Sequence, residues 1–142
     1  MSRPHPPAVD RPGDEGRAAR FESALPYVWV RDLARAQRYY TETLGFEVAY
    51  EAAWEENGKE VRVVGVQRGA TRFELSICGC ADHGHDGKAY FGVQVDDVSA
   101  LHAEYSARGV AVTCELRTDE GEVSRFTIDD PDGNRVHFFA AW

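Results

Sequence analysis

Apolar and polar residues alternate at period two along most of this chain, and the spacing turns helical in two places. Leu33, Ala36, Tyr40 and Leu44 fall on one helical stripe, and Val98, Leu101 and Tyr105 fall on another. Each stripe follows an Asp suited to cap a helix, Asp32 or Asp97, and stops at a Gly suited to the left-handed position, Gly45 or Gly109. An apolar strand precedes each helix. Further strands are predicted roughly over 47–54, 61–67 and 72–78, then over 111–116, 123–129 and 134–140. The last two flank Asp130-Pro131-Asp132-Gly133-Asn134, a turn in which Pro131 presets φ and Gly133 tolerates positive φ. His137 alternates with Val136 and Phe138 and so points to the opposite face.

The chain repeats itself. Val30 matches Val95, Asp32 matches Asp97 and Tyr40 matches Tyr105, each at an offset of 65, and Gly45 matches Gly109 at 64. Both halves read β-α-β-β-β. The predicted fold class is therefore α+β: two tandem βαβββ modules, about 22–78 and 89–141, form a curved mixed sheet with helices outside. The modules make one domain over 21–142, with a linker near Gly79–Lys88. Residues 1–20 hold four of the six prolines and read as a disordered tail. In the opening strands Val28, Val30, Phe91, Val93 and Val95 belong to the helix side, whereas Leu25, Tyr27, Trp29, Tyr90, Gly92 and Gln94 face inward. Arg72-Phe73-Glu74-Leu75 matches Arg135-Val136-His137-Phe138 at an offset of 63, making Glu74 and His137 equivalent inward positions. The quartet Leu25, Glu74, Tyr90 and His137 marks the expected cleft.

Charge narrows the partners. The net charge is −8, and the tail carries four Arg against three acids, which leaves −9 on the body. Nucleic acid needs a basic face, so the acidic body argues against it and loosely favours cationic ligands. No apolar run is long enough for a membrane helix, and the start lacks the apolar centre of a signal peptide, so the cytoplasm is the expected location. Three cysteines do not suggest a disulfide framework, and Cys78, Cys80, His83 and His85 match no strong zinc spacing. The inward face instead suits binding. Tyr27, Trp29, Tyr90 and Phe139 make an aromatic lining, with Trp54 closing it from a neighbouring loop. Glu74 can pair with a ligand amine, and Ser76 and His137 offer hydrogen bonds. A structural His137, and dimer packing by Tyr27 and Trp29, are the plainer alternatives. Tyr39, Tyr40 and Tyr105 read as helix-face core, and Asp130 and Asp132 as turn residues. No phosphate loop, nucleophile elbow or Cys–His dyad is present, and no residue is assigned as catalytic.

The paired modules, with VRDLARAQRYYTETLGF at the front and FTIDDPDGNRVHFF at the back, resemble the vicinal oxygen chelate superfamily over about residues 22–141. It contains glyoxalase I, extradiol dioxygenases, and fosfomycin- and bleomycin-resistance proteins. The resemblance implies, for the enzymes, a divalent metal on the inward quartet. Here that quartet offers only Glu74 and His137, since leucine cannot ligate and tyrosine seldom does. The stretches SALPYVWVRDLARAQRYYTETLGF and GNRVHFFA are similar to the bleomycin-resistance proteins. That branch implies a non-catalytic homodimer with no cofactor, in which the N-terminal strand around Pro26 is exchanged. It would sequester an aromatic, cationic, bleomycin-like antibiotic and so confer resistance. A glyoxalase- or dioxygenase-like enzyme using a divalent metal with an altered ligand set is the alternative.

Overall fold

The computed structural model describes residues 18–77, 84, 86–117 and 124–140. Most of the expected tail, and Cys78, Cys80, His83 and His85 of the linker, lie outside the described residues. In chain order come β1 (Tyr27–Val30), α1 (Leu33–Arg38), β2 (Glu47–Glu56), β3 (Lys59–Arg68) and β4 (Thr71–Ile77). The second module follows as β5 (Tyr90–Gln94), α2 (Val98–Ala107), β6 (Val112–Arg117), β7 (Arg125–Asp129) and β8 (Arg135–Phe139). The two tandem βαβββ modules of an α+β fold are thus present.

The caps form as the residue types dictate. Asp32 accepts a hydrogen bond from Arg35 N at 3.0 Å, and Asp97 accepts one from Ala100 N at 2.9 Å. Gly45 and Gly109 end the helices at φ values of 79° and 75°, where a Cβ would be strained. One element has no counterpart in the sequence reading: α1 runs on into a π-helical turn, Tyr39–Thr43. Leu44 N there bonds to Tyr39 O, five residues back.

The strands form two four-stranded mixed sheets of identical topology, β1-β4-β3-β2 and β5-β8-β7-β6. In each, the opening strand pairs parallel with the closing strand: Tyr27 lies opposite Glu74, and Gly92 opposite His137. Each sheet carries its helix on one face, and those two faces share a single core. Val28, Val30, Phe73 and Leu75 of the first sheet join Phe126, Ile128, Val136 and Phe138 of the second, all nearly inaccessible. Phe73 and Phe91 meet across the modules with ring centroids 4.7 Å apart.

Polar clasps fix this docking at both ends. Tyr105 donates to Leu44 O at 2.8 Å, and Arg68 forks onto the Glu104 carboxylate at 2.7 and 2.9 Å. That guanidinium holds the Glu104 carboxyl below its usual range. At the other end Tyr40 donates to Asp130 at 3.0 Å and Arg35 to Asp132 at 2.8 Å, while Asn134 Nδ2 donates to Trp29 O at 3.0 Å. Burial pushes the Asp130 carboxyl up against the lowering influence of its hydrogen bonds, and raises the Tyr40 hydroxyl well above its ordinary value. Asp130 and Asp132 are turn residues as expected, but their carboxylates also bind one module to the other. Among the described residues, no helix is long and apolar enough to cross a membrane.

Candidate functional site

Strand alternation leaves each sheet with a second, open face. On the first sheet the registers define a row across all four strands: Tyr50 on β2, Gly65 on β3, Glu74 on β4 and Tyr27 on β1. The next row is Ala52, Val63, Ser76 and Trp29. Glu74 is only 1% exposed. Its carboxylate accepts from the Tyr50 hydroxyl at 2.8 Å and from the Ser76 hydroxyl at 3.4 Å. A carboxylate this buried requires such donors, because removing a charge from water without them is very costly.

Gly65 explains how Tyr50 reaches so far. A Cβ at Gly65 would lie 2.2 Å from the Tyr50 ring, so the bare backbone of β3 is the bed on which the ring lies. Arg72 covers the ring from 5.8 Å, and its guanidinium is oriented by bonds to Gln67 Oε1 at 3.2 and 2.6 Å. Above this row opens a hollow of 820 Å³, walled by Leu25, Tyr27, Tyr50, Ala52, Arg72 and Glu74 among others. It is spacious enough for a drug-sized ring system.

The open face of the second sheet has the row Gly92, His137, Thr127 and Cys114. His137 Nδ1 lies 3.2 Å from the Thr127 hydroxyl, and its ring stacks on Phe139 with centroids 5.8 Å apart. Phe139 in turn lies over Gly92, where a Cβ would approach the ring to 3.0 Å. Burial, with a smaller contribution from Arg125, holds the His137 imidazole below its ordinary pKa and so favours the neutral ring. Tyr90 is 69% exposed on the same sheet, opposite Arg135.

The sequence-derived candidates therefore fall into two groups. Tyr27, Trp29, Trp54, Glu74 and Ser76 lie on the first sheet, and Tyr90, His137 and Phe139 on the second. The structure does not gather Leu25, Glu74, Tyr90 and His137 into one cleft. The modules dock through their helix-bearing faces, so the Glu74 face and the His137 face of one chain point away from each other. Trp54 also departs from expectation: it sits within β2 opposite Val61, not in a neighbouring loop. Within the chain, β1 pairs with β4.

Two residues the sequence reading passed over matter most, Tyr50 and Gly65. A lone glycine inside the valine-rich strand VRVVGVQ was the available signal, since such glycines mark close approach. As for a metal, the donors among the described residues do not fit one within a single chain. Glu74 and His137 occupy different sheets, and among the described residues no three His, Cys, Asp or Glu side chains cluster for ligation.

The Glyoxalase/Bleomycin resistance protein/Dioxygenase superfamily matches residues 19–138. The chain belongs to this superfamily. Among solved structures, the bleomycin-binding protein of bleomycin-producing Streptomyces verticillus, in complex with copper(II)-bleomycin, is 25% identical. It has a TM-score of 0.66 over 88% of this chain and 100% of that one. TnmS3, an antibiotic-binding protein from Streptomyces sp. CB03234, is 24% identical with a TM-score of 0.68, covering 89% of this chain and all of its own; its likeness shows the fold. A glyoxalase/bleomycin resistance protein from the same organism is 25% identical, with a TM-score of 0.67 over 83% of this chain and 99% of that one. Comparison with curated proteins finds no match.

Proposed function

We propose that this superfamily member is a non-catalytic binding protein that sequesters an aromatic, cationic small molecule of the bleomycin type. It would act in the cytoplasm as a homodimer and so confer resistance. The observation that carries the reading is the Glu74 hollow: a buried carboxylate set between Tyr27 and Tyr50 under 820 Å³ of open space. Aromatic walls stack planar rings and attract cations at about 0.5–2 kcal/mol per contact, and the carboxylate gives a ligand amine its counter-charge.

The same geometry favours a dimer. One chain's open faces point apart, so a site lined by both requires a second copy that lays its His137, Phe139 and Tyr90 face over the Glu74 face of the first. Two equivalent sites would follow from twofold symmetry. The bleomycin-binding neighbour, at 25% identity, supports the ligand class.

The test is quenching of tryptophan fluorescence on titration with bleomycin, metal-free and copper-loaded, alongside elemental analysis of dialysed protein. Saturable quenching that weakens in Tyr27→Ala supports the reading. Stoichiometric metal that survives dialysis and disappears in Glu74→Ala or His137→Ala would instead establish the metal-dependent enzyme.

A further inference from the structure

The near twofold relation between the modules leaves one place filled on one side of the molecule and open on the other. On the filled side the five-residue turn 130–134 and the segment before β5 close over the end of β1. Asp132 accepts from Arg31 N at 3.1 Å and from Arg35 at 2.8 Å, and Gly87 N donates to Trp29 O at 3.2 Å. Gly87 is pressed so closely on Asp132 that a Cβ there would lie 2.0 Å from the Asp132 carbonyl oxygen.

On the opposite side the equivalent turn has only two residues, Gly69 and Ala70, between β3 and β4. A groove of 500 Å³ stands in the place of the missing residues. Its apolar lining is formed by the half-buried Val95 and Leu101 over the buried Val93 and Phe138 at its floor, and Asp96, Asp97 and Glu104 stand along it. Asp97 caps α2 and Glu104 holds Arg68, which leaves Asp96, an exposed residue, to meet a cation.

The chain contains a segment of the right kind in the right place. At the offset of 65, the counterpart of Gly87 is Glu22, so the stretch before β1 corresponds to the stretch that fills the other side. Ala24 borders the Glu74 hollow together with Ala70, and Ala70 also borders the groove. The chain therefore leaves β1 at the groove's rim. Immediately upstream are Arg20 and Phe21, and Phe21 is 102% exposed, the most solvent-accessible large apolar side chain among the described residues. A phenyl ring in water beside an apolar groove lined with acid is a pairing that burial and charge both favour.

We infer that Arg20 and Phe21 form a strap that seats in this groove of their own chain, Phe21 against Val93, Val95 and Leu101 and Arg20 against Asp96. Ser23, Ala24 and Leu25, which already line the Glu74 hollow, join the strap to β1, so seating would hold that wall of the binding hollow in place. This last consequence rests on the binding reading above; the seat itself does not.

The test is methyl NMR on the full chain. Wild type is expected to show ring-current shifts at the methyls of Val93, Val95 and Leu101 that are lost in Phe21→Ser, reduced in Asp96→Asn, and unchanged on dilution. Because Phe21 is fully exposed, its replacement leaves the fold intact. Identical methyl spectra in wild type and Phe21→Ser would overturn the inference. So would restoration of the shifts when unlabelled wild type is mixed with labelled Phe21→Ser, since that would place the strap on a second copy. Neither result depends on whether the protein binds a drug.

Discussion

Replacing Gly65 by alanine should cost stability only while Tyr50 is present. The three atoms nearest a Cβ at Gly65 all belong to the Tyr50 ring, at 2.2 to 2.5 Å, so alanine must lift the ring off β3. Lifting it breaks the 2.8 Å bond to Glu74, a bond to a charged acceptor worth about 1.5–3 kcal/mol. Against this, alanine in a strand interior is about 0.5–1 kcal/mol better than glycine. Gly65→Ala should therefore destabilise by about 0.5–2.5 kcal/mol in the native background. In a Tyr50→Ala background the same change should be neutral or mildly stabilising, because the ring atoms that a Cβ meets first are gone. The assay is a double-mutant cycle by urea unfolding, with wild type, both single variants and the double variant. A coupling energy near zero, with Gly65→Ala equally costly in both backgrounds, would refute the account of Gly65 as the bed for Tyr50.

Three further outcomes are expected. Asp132→Ala removes the buried acceptor of Arg35 and of Arg31 N and should cost about 1–3 kcal/mol, whereas Glu60→Gln, in an exposed pair with Arg62, should change stability by less than about 0.5 kcal/mol. Thermal melts of the two variants check both numbers, and equal losses would contradict the assigned role of the turn. His137 has a folded-state pKa below its unfolded value of 6.5, so its contribution is fully present above pH 6.5 and fades as pH falls through the lowered value. His137→Gln should accordingly flatten the decline in stability just below pH 6.5; an unchanged decline in urea melts across that range would assign it to other groups. Asp130 has the opposite sign: its raised pKa makes its contribution shrink as pH rises from 3.8 through the folded value. Asp130→Asn should remove that slope, measured by the same melts at acid pH.

Much of the fold was legible because its signals are local. Caps at Asp32 and Asp97, helix stops at Gly45 and Gly109, and period-two strands each depend on a few neighbouring residues, and duplication checks every one of them. Alternation also assigned Val28 and Val30 to one face and Tyr27 and Glu74 to the other. What alternation does not contain is which faces meet. The expected cleft between Glu74 and His137 assumed that the open faces of both modules converge, while the core residues Phe73 and Phe91 bring the helix-bearing faces together instead. The clasps were illegible for a related reason. Tyr40 to Asp130 and Arg35 to Asp132 span 90 and 97 residues, and a turn that is locally self-sufficient gives no sign of a distant partner. The π-helical turn at Tyr39–Thr43 is likewise invisible to a stripe counted at helical spacing.

The central claim is that the Glu74 face holds an aromatic cation without chemistry. Isothermal titration of metal-free bleomycin into wild type and Glu74→Gln tests it most directly. The account predicts saturable binding at one drug per chain, at least tenfold weaker in Glu74→Gln, equivalent to about 1.4 kcal/mol, with the drug recovered unaltered. Equal affinity in both proteins, or a chemically changed drug, would contradict it.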